Sequence, residues 1–319
     1  MLIARHQKPS VVSVLARLRS YRFASVLAGC VFSMSAGLIP FAPAMAVAQA
    51  EEVQTFSNPA RLVAVGGALT EIIYALGEES KLIARDQTST YPEAVKKLPD
   101  VGYMRNLSAE GVLSVAPTAM LVVEGSGPPE TMEVLKRASV PMIIVPEVYS
   151  EQGILNKITA VGQALGVQEK AAVLAEKVRV DLEVVKTATA NITEKKRVLF
   201  ILSRQGGRLM VSGQGTAADG MIKMAGGINA INEFNGYKQM TDEALDKAAP
   251  DLILLMNTGT DKAMDDHSQL LSNLALAATP AGRNKAVLAM DGLYLLGFGP
   301  RAAEAARDLS EGLYGKAAQ

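Results

Sequence analysis

The sequence predicts an α/β protein of two Rossmann-like lobes joined by one long spanning α-helix, with its ligand in the cleft between them. Three observations carry this. Short apolar segments alternate with amphipathic ones from residue 61 to 145, and the alternation resumes after residue 196. Between the two blocks, Gln168 to about Ile192 runs without proline or glycine. A helix of roughly 25 residues at 1.5 Å each reaches about 35–40 Å, enough to cross from one lobe to the other. Of the 319 residues, 49% are apolar, which is ample for a large core.

In chain order, the first element is a targeting segment over residues 1–50. Arg5, Lys8, Arg17, Arg19 and Arg22 precede an apolar run from Phe23 to Pro43. Two small-residue cleavage patterns, Ala44-Met45-Ala46 and Ala48-Gln49-Ala50, come just before Glu51-Glu52. This order is that of a secretory signal, so export to the periplasm is expected. The run is also long enough for a membrane anchor, but the cleavage patterns favour removal. Leu27-Ala28-Gly29-Cys30 is a lesser alternative, a lipidation box, opposed by the apolar residues that follow it. The 32 bases and 32 acids balance, so there is no basic excess of the kind nucleic acid requires. The first 50 residues hold five of the bases and no acid, leaving 27 bases against 32 acids. They also hold the only cysteine, and His267 is then the sole histidine. That poverty excludes a zinc finger, an iron–sulfur site and a disulfide scaffold.

The first lobe, residues 51–166, reads as strands at Arg61–Val65, Lys81–Ala84, Ala119–Val123 and Met142–Val145. Helices are expected over Thr70–Leu76, stopped by Gly77, then from Ser108 as cap to Val115, and over Pro129–Ala138 and Gly153–Leu165. Residues 167–195 form the spanning segment, with Val173, Leu174, Val178, Leu182 and Val185 as its apolar stripe. The second lobe, residues 196–319, has strands at Arg197–Ser203, Leu252–Met256 and Ala286–Met290, and Arg208–Ser212 as a hairpin partner. Its helices are Ala217–Ala225, Thr241–Ala248 and Ala302–Tyr314. Clefts between domains are favoured ligand sites, and a helical tie limits opening.

Several stretches resemble the haem-binding periplasmic proteins of bacterial haem ABC importers, a class shared with vitamin B12 and ferric-siderophore binding proteins. They include Arg61-Leu-Val-Ala-Val-Gly-Gly67, Leu69-Thr-Glu-Ile-Ile-Tyr-Ala-Leu-Gly77 and Leu98-Pro-Asp-Val-Gly-Tyr-Met-Arg105. Ala109-Glu-Gly111, Thr216-Ala-Ala-Asp219, Ala249-Pro-Asp-Leu252 and Leu296-Gly-Phe-Gly299 extend the resemblance over most of residues 60–314. Ala-Pro-Asp-Leu is common to the whole class, whereas Gly-Tyr-Met-Arg is particular to the haem branch. The resemblance implies haem b carried as cargo, an ABC permease as partner and possible delivery from an outer-membrane haem receptor upstream.

It also implies Tyr103 as the haem iron ligand. A phenolate is a hard anionic donor suited to ferric iron. A free tyrosine keeps its proton near neutrality, so the iron's charge must drive ionisation. Arg105, two residues on in an extended loop, would sit on the same side and donate a hydrogen bond to the phenolate. Met104 is placed on the pocket wall, because thioethers favour softer metals. Candidates from the second lobe are Arg204, Arg208 and Lys262, with Tyr294 and Phe298 in the glycine-rich Gly292–Gly299 loop. Each has a plainer reading as a solvated charge or a core residue. Imidazole also suits iron, but His267 stands in the polar run Asp265-Asp266-His267-Ser268 and reads as surface. The class docks on its permease through one glutamate per lobe. Glu110 and Glu243 match, each in a first helical turn where the helix dipole alone would favour an acid.

Two rival functions stand beside haem capture. Gly213-Gln214-Gly215-Thr216-Ala217-Ala218 fits a dinucleotide loop, with Glu233 about twenty residues on, which would make the chain an exported enzyme. No histidine–carboxylate–nucleophile set supports catalysis, and a binding protein rather than an enzyme is expected. Within binding proteins, a ferric siderophore or a corrinoid is the other cargo. The chain has no tryptophan to stack on a corrin.

Overall fold

A computed structural model describes residues 55–205, 208–257 and 270–315. The leader 1–50 with Cys30, as well as Lys262 and His267, lies outside the described residues.

The first sheet is built from Leu62–Val65 (β1), Leu82–Arg85 (β2), Ala119–Val123 (β3) and Met142–Val145 (β4). Its order is β2-β1-β3-β4, and every pairing is parallel. β1 and β3 are buried along their whole length, as inner strands of a parallel sheet covered on both faces must be. The crossovers are Gly67–Ala75 (α1), Ala109–Ser114 (α2) and Pro129–Arg137 (α3). α1 begins three residues earlier than the pattern indicates. Gly66 is its N-cap at φ 118, a conformation that favours glycine, and Gly67 is its first turn. Ser108 caps α2 as expected, accepting from the Gly111 amide.

Glu151–Leu165 (α4) and Gln168–Ala190 (α5) follow, hinged at Gly166 in the left-handed conformation. The two helices approach closely enough that a Cβ on Gly162 would meet that of Ala171 at 2.2 Å. α5 buries Ala171, Val178, Leu182 and Val185. Val173, expected in that stripe, is 74% exposed. Five residues before Val178, at about 100° per residue, it points well off the buried line.

The second sheet holds Arg197–Gln205 (β5), Arg208–Ser212 (β6), Ile228–Asn229 (β7), Tyr237–Met240 (β8), Leu252–Asn257 (β9) and Val287–Asp291 (β10). The order is β10-β9-β5-β6-β8, with β7 pairing β5. β10, β9 and β5 are parallel, whereas β6 and β8 are antiparallel additions. Helices Ala217–Met224 (α6), Asp242–Ala248 (α7), Leu274–Ala278 (α8), Pro280–Arg283 (α9), Gly292–Leu296 (α10) and Ala302–Tyr314 (α11) complete it. The Gly292–Gly299 stretch is therefore not simply a loop. Asp291 caps a helical turn there by accepting from the Tyr294 amide. One apolar core runs from Leu62 and Ile72 through Ile158, Val178 and Phe200 to Phe298 and Leu309, so both lobes share it. Among the described residues, no helix is long and apolar enough to cross a membrane.

Candidate functional site

Tyr103 stands on a stapled loop. Gly102 takes φ 103, its amide donates to Asp100 Oδ1 at 2.8 Å, and its carbonyl accepts from Gln87 at 2.9 Å. Beyond the tyrosine, the Gly127 amide donates to Met104 O at 2.9 Å, and Leu107 N donates to Gly127 O at 2.8 Å. Backbone bonds on both sides thus hold the loop while the Tyr103 side chain stays 43% exposed. The neighbouring loop is pinned by the buried Asp86 carboxylate. It accepts from Gly66 N and Thr88 N at 3.0 Å, from the Thr88 hydroxyl at 2.7 Å and from the Ser89 hydroxyl at 2.8 Å.

The extended Tyr-x-Arg segment expected from the sequence is a turn instead. Asn106 N donates to Tyr103 O at 2.8 Å, so the backbone reverses within three residues. Arg105 accordingly sits beside Tyr149, a residue that sequence reasoning did not single out. Burial is the first cause that raises the Tyr149 hydroxyl above its usual 10, and Glu147 adds to it. Arg105 opposes both, as a charge and as a hydrogen-bond donor. The Tyr149 ring packs edge-on against Phe298, centroids 5.3 Å apart. Gly220 on α6 leaves room for this, since a Cβ there would lie 2.6 Å from Tyr149 O and 3.0 Å from Phe298 Cζ.

The second lobe contributes Tyr237, at the start of β8. It is 38% exposed, yet desolvation is what chiefly raises its hydroxyl, while Thr216 opposes by hydrogen bonding. An open ring whose hydroxyl is surrounded by protein marks the wall of a cleft. Tyr149, Arg105 and Tyr103 all act electrostatically on that hydroxyl. Two tyrosines and an arginine of the first lobe thus lie within electrostatic reach of Tyr237 in the second. A signal for Tyr237 was present in the sequence. The dipeptide Gly-Tyr occurs twice, and Gly236, like Gly102, takes a positive φ.

The other expected site residues lie outside this group. Met104 is half-buried between two core clusters, with the Thr88 hydroxyl 4.0 Å from its sulfur. Phe298 is fully buried, in the core that its alternative reading assigned it, and meets the cleft only through Tyr149. The Tyr294 hydroxyl donates to Asp308 at 2.9 Å, and the Arg301 guanidinium lies 5.1 Å from its ring. Arg204 and Arg208 are exposed on the β5–β6 hairpin. Glu110 and Glu243 are exposed in the first turns of α2 and α7.

The dinucleotide-like loop uses its amides internally. Gly213 N donates to Gly236 O at 2.8 Å, Gln214 N to Phe234 O at 2.8 Å and Gly215 N to Asp219 Oδ2 at 3.0 Å. A pyrophosphate would need such donors free. Gly213 is glycine because Phe234 O would stand 2.3 Å from a Cβ.

Two α/β lobes with a shared core and a tyrosine-walled cleft between them define a two-lobed solute-binding protein. Residues 62–293 match the model of the periplasmic binding protein family, and the chain belongs to that family, a class of substrate-binding proteins rather than of enzymes. Among solved structures it is similar to the periplasmic heme-binding protein BhuT in complex with two hemes. The identity is 40% and the TM-score 0.76, over 81% of this chain and 99% of that one. RhuT, the periplasmic heme-binding protein from Roseiflexus sp. RS-1, in apo form, matches at 39% and 0.76 over the same shares. Among curated relatives, the ABC transporter substrate-binding lipoprotein YvrC of Bacillus subtilis is 27% identical over 83% of each chain. A vitamin B12-binding protein of Yersinia pestis is 25% identical over 74% of this chain and 82% of its own.

Proposed function

We propose that the exported chain captures ferric haem in the cleft and delivers it to the permease of an ABC importer. The observation that carries the reading is the exposed Tyr103, faced by Tyr237 from the other lobe, with Arg105 close by beside Tyr149. Tyr103 would supply the phenolate to iron, its proton leaving to solvent. The phenol-and-guanidinium setting suits a hard ferric centre. The similarity to BhuT and RhuT supports haem over a corrinoid. Residues 1–50 would direct export and be removed, leaving the mature protein in the periplasm, or tethered there if Cys30 is lipidated. Glu110 and Glu243 would meet the permease.

A visible-absorption titration with haemin tests this, with Tyr103→Ala alongside. Saturable binding with a ferric–phenolate charge-transfer band, lost in the variant, is the expected outcome. Binding that survives the substitution would keep haem and move the ligand. No binding, with retention of cyanocobalamin or a ferric siderophore, would replace the cargo.

A further inference from the structure

Tyr237 shows its ring to the cleft but keeps its hydroxyl in the protein. It is the first residue of β8, and its backbone pairs with Ser212 of β6. Just before it, Gly236 N donates to Gln214 O at 3.0 Å, and Gly213 N donates back to Gly236 O at 2.8 Å. The tyrosine and the 213–216 loop are thus held to each other by backbone bonds. Thr216 ends that loop, 4% exposed, as the N-cap of α6, where its Oγ1 accepts from Asp219 N at 3.1 Å. The Tyr237 hydroxyl is hydrogen-bonded to Thr216, and Thr216 to the fully buried Ser212 hydroxyl. Ser212 Oγ lies 3.1 Å from Gly213 O. One direction gives each hydroxyl a single acceptor: Tyr237 donates to Thr216, Thr216 to Ser212, and Ser212 to the Gly213 carbonyl. Asn229 Nδ2 donates to the same carbonyl at 3.1 Å and fixes the inner end.

We propose that Thr216 is a positioning residue, tying back the Tyr237 oxygen so that this tyrosine meets haem with its ring and leaves Tyr103 as the iron's one protein ligand. The proposal rests on the haem reading and deepens it. To reach iron, the Tyr237 oxygen has to lose its proton and leave a chain whose other members are buried, which breaks a satisfied network. The ring needs no such change and already offers a flat apolar face to a flat apolar cargo. A second phenolate would also add an anionic donor to a ferric centre and hold it more tightly. Thr216 thereby keeps the cargo releasable. The loop that resembles a dinucleotide motif has its use here, in what Thr216 does for the cleft.

Thr216→Val removes the hydroxyl at nearly constant volume. With haemin bound, the parent should show a five-coordinate, high-spin phenolate centre by resonance Raman. Thr216→Val should show a six-coordinate centre, and its transfer of haemin to apomyoglobin should slow severalfold. Adding Tyr237→Phe should restore the five-coordinate spectrum, which a mere loosening of α6 would not do. A parent ligated by Tyr237, a Thr216→Val spectrum like the parent's, or a six-coordinate spectrum that survives Tyr237→Phe overturns the proposal. Should Thr216→Val fail to fold, Thr216→Gly, a tolerated cap without a hydroxyl, decides on the same criteria. The tie is also read without haemin. In ligand-free protein carrying 3-fluorotyrosine, the Tyr237 fluorine signal, assigned by Tyr237→Phe, should move in Thr216→Val and return in Thr216→Ser. A signal that stays put overturns the tie, whereas a parent that takes up no haemin overturns the cargo reading, so the two failures are told apart.

Discussion

At Tyr103, position is set by the residues on either side rather than by the tyrosine itself. Gly102 supplies the positive φ, and Gly127 closes the far side of the loop. Tyr103→Phe keeps the ring and removes the oxygen, so it should abolish the charge-transfer band while leaving thermal stability unchanged. Tyr237→Phe should keep the band and weaken haemin binding severalfold, measured by titration. The tyrosines also set a pH limit. Tyr149, Tyr237 and Tyr294 are all raised, chiefly by burial, and the Asp308 carboxylate raises Tyr294 further. Folding thus favours their protonated forms. Their contribution is complete below the usual tyrosine value, about pH 10, and is lost as pH climbs through the higher folded values. The melting temperature should therefore hold up to about pH 10 and fall as the pH rises beyond it. Tyr294→Phe should lessen that fall.

Among the elements, the α4–α5 pair depends on a glycine that no propensity argument favours. A Cβ at Gly162 would lie 2.2 Å from that of Ala171, so Gly162→Ala must push the helices apart. Overpacking outweighs the gain in helix propensity, and a loss of about 1–2 kcal/mol is expected in a urea melt. Elements with strong local signals were legible in advance. Met142–Val145 and Ala302–Tyr314 match the pattern to the residue, and the cap at Ser108 forms as read, whereas Thr241, read as the first residue of its helix, is its N-cap. β8 was not legible. Tyr237-Lys-Gln-Met240 has no apolar alternation, and it is a strand only because β6 offers an edge to pair with.

On the scale of the whole molecule, the proposed docking on the permease rests on two exposed acids on separate lobes, Glu110 and Glu243. Glu110→Arg and Glu243→Arg together should slow haem-dependent growth or vesicle uptake through the importer about tenfold or more, with haemin affinity unchanged. Equal loss of affinity would place these residues in folding rather than docking.

The sequence alone determined the class of fold, the spanning helix and the loop that carries Tyr103. These follow from periodicity, caps and a particular short motif, all of which act within a few residues. Tertiary structure decided which groups meet. Arg105 turns to Tyr149, and Tyr237 arrives from an edge strand of the other lobe. Glu71 closes on Arg301 across 230 residues, and Lys157 on Phe298 across 141. Such contacts depend on how two sheets pack around one shared core, and no local pattern encodes that distance.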